Sequence, residues 1–212
     1  MSTDQPGLLF HGTNIYCLAA IAQTNRLDEG AHWGKRNEPH GPRLTRDWGQ
    51  AEGFIVYGAP ELRQGGIVVL DRAALEANYR LQVYVDTYYD GPVQGKDLGA
   101  NEAEEVVLTP SIDPLHTCLR SWVCDPAVLE AARDPETMTF TQDTGGWPFD
   151  DGEVGHAQAL EALDVLASSP YLNAWVPATG YPEPGFPEDK ARQAKALLKE
   201  ETVPAKRRRR QP

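Results

Sequence analysis

The sequence predicts an α+β fold, with flanking helices on a mixed or antiparallel sheet. Short apolar or alternating runs, typical of strands, occur at residues 8–10, 67–70 and 104–108. Segments with helical spacing occur at residues 15–24 and 47–57. The two kinds of signal do not alternate strictly, as they would in a parallel βαβ sheet, so an antiparallel or mixed sheet is favoured.

The N-terminal half begins with Leu8-Leu9-Phe10, a predicted strand that ends in a turn at His11-Gly12-Thr13-Asn14. Thr13 or Asn14 can cap the following helix over 15–24. After this helix we expect a loop over 25–41, an extended Leu44–Thr45, and a helix over 47–57 with Ala51, Phe54 and Ile55 inward. A strand over 67–70 and a helical turn over 71–77, capped by Asp71, are expected next. The remaining expected elements are a strand over 80–87, a loop over 91–100, a strand over 104–108, a turn over 112–116 and a strand over 119–123.

The C-terminal half is expected to be an extension of this core. Residues 141–155 carry no periodicity, and residues 157–167 predict an amphipathic helix. The interpretation is a core over 1–125, an extension packed on it over 126–186, and a solvated helix with a disordered basic tail over 187–212, after a proline-rich linker over 177–187.

Charge is divided unevenly along the 212 residues, whose formal net charge is −11. Residues 187–212 hold nine of the 20 Lys and Arg residues but four of the 31 acids, which leaves the body at −16. An acidic body repels nucleic acid at long range, which counts against a duplex-binding surface. The basic run Lys206–Arg210 is expected to contact nucleic acid, phosphates or an acidic partner, or to act as a solubilising tail.

Targeting, redox and metal signals are absent from the sequence. No apolar run approaches the roughly 20 residues that span a bilayer. Residues 1–7 lack the positive charge and the apolar stretch of a secretory signal, so we expect a cytoplasmic chain without membrane contact. The three cysteines and five histidines show no ligand spacing, so reduced thiols and no metal are expected.

Three separated patches carry candidate chemistry. The first is Phe10-His11-Gly12-Thr13, where a glycine lets a flat ligand approach the backbone; the alternative is a structural histidine beside an ordinary turn. The second runs from Pro39 to Asp47 and holds Arg43 and Arg46, which suit phosphates; the alternative is a surface loop with Asp47 as a helix cap. The third, residues 101–105, places Glu102, Glu104 and Glu105 before an apolar strand; the alternative is a solvated strand end.

In this order the patches resemble the ADP-ribosyltransferases. His-Gly-Thr, then Gly-x-x-Leu-Thr with a downstream Ala and aromatic, then Glu-x-Glu before an apolar strand is similar to the branch that uses a His, a middle aromatic or polar residue, and a Glu. That branch includes poly-ADP-ribose polymerases and small phage and bacterial enzymes. The resemblance covers about residues 8–125 and implies a split sheet core.

The resemblance also implies roles for individual residues. His11 would bind the nicotinamide ribose of NAD, Gly12 would offer its backbone to the amide, and Thr13 would assist. Glu104 matches the catalytic glutamate, with Glu105 as the alternative if the alignment slips by one. The remaining positions that the resemblance places near NAD are Arg43, Thr45 and Glu102.

Arg43 departs from the pattern, because relatives carry an aromatic residue at the middle position. Tyr57, Tyr88 and Tyr89 are the candidates for a replacement aromatic face. The implied activity is mono-ADP-ribosyl transfer from NAD to a protein or nucleic-acid acceptor, without a metal. The alternatives are an NAD glycohydrolase and an inactive module that binds a nucleotide or a partner.

Overall fold

The computed structural model describes residues 7–30, 40–46, 48–56, 65–83, 104–144 and 146–174. At some helix and strand positions in these ranges, Phe54 and Glu104 among them, it describes the backbone alone. The strands are β1 Leu8–Asn14, β2 Leu27–Asp28, β3 Arg43–Thr45, β4 Gly65–Asp71, β5 Leu81–Val83, β6 Glu104–Val107, β7 Ser111–Ile112, β8 Leu119–Cys124 and β9 Leu172–Ala174. The helices are α1 Ile15–Thr24, α2 Trp48–Val56, α3 Arg72–Asn78, α4 Pro126–Ala131, α5 Pro135–Thr144 and α6 Gly152–Ser168, with a 3₁₀ turn at Leu115–Thr117.

The described strands form a seven-stranded sheet in the order β5-β6-β3-β1-β4-β8-β9. Its pairings are antiparallel except β8 with β9, which run parallel. A separate two-stranded sheet pairs β2 with β7. The mixed, mostly antiparallel sheet with flanking helices confirms the α+β class expected from the sequence.

Helices cover both faces of the sheet, and side-chain alternation along β1 explains how. Leu9 belongs to the larger apolar cluster, together with residues of α1 and α6 such as Leu18 and Leu163. Phe10 points to the other face and packs with Trp48 and Ala51 of α2. The ring of Phe10 meets that of Trp48 edge to face, with centroids 5.4 Å apart. The sheet is therefore buried between α1 with α6 on one side and α2 on the other.

The helix signals near the N-terminus are confirmed. Helix α1 spans Ile15–Thr24, and Asn14 is its N-cap, with the side-chain Oδ1 accepting a hydrogen bond from the backbone N–H of Cys17 at 2.8 Å. Asn25 ends the helix in the left-handed conformation at φ 53°. Asp71 caps α3 as expected, accepting from the N–H of Ala74 at 2.9 Å.

Three details differ from the sequence expectations. Strand β1 continues through Asn14 instead of turning at His11, because β4 pairs with it over its whole length from Leu8 to Asn14. The segment 141–155 is not wholly irregular, since α5 reaches Thr144 and α6 begins at Gly152. Strand β9, which was not expected from the sequence, adds to the sheet beside β8.

Several sequence expectations fall outside the described residues. They concern the loop over 91–100, the linker over 177–187, the helix over 188–201 and the tail that ends in Lys206–Arg210. In the described part of the chain, no helix is both long enough and apolar enough to cross a membrane.

Candidate functional site

The strands that carry the three sequence patches are consecutive neighbours in the sheet. β1 holds His11, β3 begins at Arg43 and β6 begins at Glu104, and the sheet order places β3 between the other two. The register pairs Phe10 with Thr45, and Thr45 with Glu104. Segments that are far apart along the chain are therefore brought to one row of the sheet.

β1 and β3 are paired at one position and then separate. Phe10 opposite Thr45 is their shared register position, whereas β1 pairs with β4 through Asn14. Beyond Phe10 the side chain of His11 bridges the two strands, with Nδ1 lying 3.0 Å from the backbone carbonyl oxygen of Arg43. Within the described residues, the sheet is thus split beside His11, and the imidazole lies where the backbones part.

The bond to Arg43 sets the chemistry of the His11 ring. A carbonyl oxygen can only accept, so Nδ1 carries the proton and Nε2 of the neutral ring is an acceptor. No group in the described part of the chain binds Nε2. Burial lowers the pKa of His11 below its usual value of 6.5 and outweighs the bond to Arg43, which raises it. The ring is therefore neutral near pH 7, with a lone pair on Nε2 available to a hydroxyl group.

Gly12 has a packing reason to be glycine. A Cβ at this position would lie 2.0 Å from the backbone oxygen of Ala51, so α2 crosses β1 directly over Gly12. Close approach of a helix, and not only of a ligand, therefore accounts for the glycine. The neighbouring Thr13 pairs with Gly66 of β4, and its side chain lies beside the thiol of Cys17.

The two candidate residues on β3 differ in exposure. Thr45 is buried, with 2% of its surface exposed, while Arg43 is half-buried and gives its carbonyl to His11. The candidate aromatic residues Tyr57, Tyr88 and Tyr89, like Glu102, lie outside the described residues. The aromatic face therefore stays a prediction.

The paired glutamates at the start of β6 have different surroundings. Glu104 is described by its backbone, opposite Thr45. Glu105 is fully buried at 0% exposure, and its carboxylate lies between two guanidinium groups. Arg72 Nε donates to both oxygens at 3.2 Å and its Nη2 donates to Oε2 at 3.0 Å, while Arg46 Nε lies 3.0 Å from Oε1. Glu105 is thus an internal ion-pair partner and has no surface to offer a ligand.

Arg46 and Arg72 are the site residues whose roles the sequence did not predict. The sequence suggested a phosphate contact or a surface loop for Arg46, but the side chain is 3% exposed and faces Glu105. Arg72, the first residue of α3, also pairs with Glu76 one turn later at 2.8 Å. Because Arg72 and Glu105 are 33 residues apart, no local pattern could have revealed their contact.

The segment after α5 reaches the end of β1. Asn14 Nδ2 donates to the carbonyl of Gly146 at 2.8 Å. Trp147 packs edge to face on Tyr16 of α1, with ring centroids 4.9 Å apart, and donates from Nε1 to the carbonyl of Asp150 at 2.9 Å. The segment is therefore anchored to α1 through Trp147.

No group of three or more His, Cys, Asp or Glu side chains that could hold a metal occurs among the residues with a described structure. Cys17, Cys118 and Cys124 are free thiols. Comparison of the chain with protein-family models, curated proteins and solved structures gave no match.

Proposed function

We propose that this chain is an NAD-dependent mono-ADP-ribosyltransferase. The observation that supports the proposal is the adjacency of β1, β3 and β6, the strands that carry the three motifs of the sequence resemblance. A chance resemblance of three short motifs would not be expected to bring them to consecutive strands. The split of the sheet beside His11 agrees with the core that the resemblance implies.

The proposed reaction breaks the bond between C1 of the ribose and the nicotinamide nitrogen, which leaves with the bonding electrons. Positive charge develops on the ribose, and a lone pair of the acceptor then forms the new bond to C1, after which the acceptor loses a proton. His11 Nε2 accepts from a ribose hydroxyl, and the backbone of Gly12 binds the amide. A carboxylate fixed beside the ribose stabilises the developing charge most strongly where water is excluded.

We assign that carboxylate to Glu104 rather than Glu105. Glu105 is enclosed by Arg46 and Arg72, so its charge is already neutralised inside the protein. Glu104 occupies the register position opposite Thr45, on the strand next to β3, and the resemblance matches it to the catalytic glutamate. The same carboxylate can orient the incoming nucleophile or take its proton.

We propose the transfer of a single ADP-ribose because poly-transfer needs a second, acceptor-side ADP-ribose site, to which no motif in the sequence points. The acceptor is a macromolecule, either a protein side chain or a nucleic acid. An inactive nucleotide- or partner-binding module is the second candidate, and the specific observation that favours it is Arg43 at the position where the resemblance expects an aromatic residue.

The decisive experiment measures nicotinamide release from NAD labelled in its ADP-ribose part, with and without cell lysate. We expect release by the wild-type chain and its loss in Glu104→Gln. Glu130→Gln, which removes an 85% exposed carboxylate from α4, is the matched control and should retain release.

The location of the label separates the candidates. Label retained on protein or nucleic acid supports the transferase, whereas free ADP-ribose identifies a glycohydrolase. NAD binding without release of nicotinamide would identify the inactive module. Full release by Glu104→Gln would overturn the assignment of the catalytic carboxylate.

A further inference from the structure

The buried network of Arg46, Glu105 and Arg72 joins three separate segments of the chain. Glu105 is the second residue of β6, Arg46 directly follows β3, and Arg72 directly follows β4. All three side chains are at least nine-tenths buried, at 0%, 3% and 10% exposure. One carboxylate therefore holds the start of β6 against the ends of two other strands.

Glu105 directly follows Glu104 in the sequence, so its ion pairs bear on the register of β6 as well as on stability. Glu104 and Glu105 are adjacent and identical, so composition alone does not distinguish the register of β6 from one shifted by a residue. Such a shift exchanges the two faces of a strand. A shift in one direction would put Glu104 in the place of Glu105, and Glu105 in the place of Val106. A shift in the other direction would put Val106 in the place of Glu105, and Glu105 opposite Thr45.

The two arginines distinguish the registers. In the observed pairing, Leu44 lies opposite Glu105 and Thr45 opposite Glu104. Arg72 approaches Glu105 with three donor–acceptor pairs between 3.0 and 3.2 Å, and a shift that puts Val106 in this place would lose all three. The opposite shift would put the carboxylate of Glu105 in the place of Val106, which is fully buried, so it would bury a second charge away from this contact.

We propose that Glu105 is a positioning residue: its ion pairs with Arg46 and Arg72 lock the register of β6, and thereby place Glu104 beside Thr45. This inference rests on the proposed function for the role of Glu104, but the register lock itself does not. Glu105 acts through the strand and touches no substrate.

The test compares Glu105→Gln with Glu76→Gln. Both remove one negative charge from a partner of Arg72, but Glu76 is 48% exposed and lies outside the contact with β6. We expect Glu105→Gln to increase backbone hydrogen exchange in β6 and β3, with little change in β4 and β8. In the same variant kcat should fall about tenfold at a nearly unchanged KM for NAD, because the interaction lost is one made in the transition state. Glu105→Asp, which keeps the charge, should recover part of both effects.

Several results would overturn the proposal. The first is backbone hydrogen exchange in β6 that is the same in Glu105→Gln as in Glu76→Gln. The second is an increase in exchange that Glu105→Gln spreads evenly over all strands. The third is a change in exchange in Glu105→Gln without a change in kcat. If Glu105→Gln does not fold, hydrogen exchange and kcat are compared between Glu105→Asp and Glu76→Asp instead. A wild-type chain without NAD turnover would remove the proposed function, and the exchange data would still decide whether Glu105 holds β6.

Discussion

The imidazole of His11 takes the place of a strand pairing, because its Nδ1 donates to the Arg43 carbonyl where β1 and β3 part. The bond fixes the ring and its tautomer together, and leaves Nε2 as the atom that can meet a ligand. The residue that is proposed to bind the ribose is thus also part of the sheet of this chain.

Replacement of His11 by alanine should lower kcat/KM for NAD by about 100-fold, because the ribose loses both a hydrogen bond and its orientation. The measurement is nicotinamide release over a range of NAD concentrations. His116→Ala is the control, since this exposed histidine pairs with Asn25 at the other end of α1. Equal losses in the two variants would indicate a general effect on folding.

Stability should depend on pH through His11. Burial holds its pKa below 6.5 in the folded chain, so the unfolded chain binds the proton first as the pH falls. The contribution of His11 is present above pH 6.5 and is lost as the pH falls from there through the lower, folded-state pKa. The measurement is urea unfolding of the wild type and of His11→Gln at pH 7.5 and at pH 5, which lie about one unit or more on either side of the ordinary histidine pKa. Between these two pH values the free energy of unfolding should fall less in the variant than in the wild type.

Gly12→Ala should destabilise the chain by about 1–3 kcal/mol, the usual cost of forcing an added group into a packed interior. The new Cβ would collide with the Ala51 carbonyl, which is backbone and cannot rotate away. Gly30→Ala is the matched control, since no atom lies within 4 Å of its Cβ position. Thermal unfolding measures both variants, and an unchanged midpoint for Gly12→Ala would contradict the close crossing of α2 over β1.

The Asn14 side chain has two hydrogen bonds to backbone atoms that substitutions can separate. Asn14→Ala removes the cap of α1 and the bond to Gly146, and should cost about 1 kcal/mol or more. Asn14→Asp keeps the capping oxygen but loses the donor to Gly146. Chemical unfolding should therefore place Asn14→Asp between the wild type and Asn14→Ala, while limited proteolysis near residue 146 should increase in both.

Local signals were sufficient for those elements that depend on nearby residues. The spacing from Ile15 to Ala22 and the polar residue before it gave α1 with its cap, and Asp71 gave the start of α3. Both features involve contacts within four residues, which the sequence displays directly. The apolar runs at residues 8–10 and 104–108 likewise indicated strands that the structure contains.

Long-range contacts account for the features that the sequence did not predict. β1 extends past His11 because β4, some 55 residues later, supplies hydrogen-bond partners up to Asn14. The choice between Glu104 and Glu105 was open because it depends on where Arg46 and Arg72 lie in space. A pattern of adjacent residues carries no information on either pairing.

The parallel pairing of β9 with β8 has a practical consequence for shortened versions of the chain. The polypeptide leaves the sheet at Cys124 and returns at Leu172, and between them it supplies α6, which covers α1. A fragment that ends at Cys124 would expose the apolar surface of α1 to solvent and leave β8 as an unpaired edge strand, and both changes favour aggregation. Expression boundaries should therefore extend at least to Ala174, even when only the residues of β1, β3 and β6 are of interest.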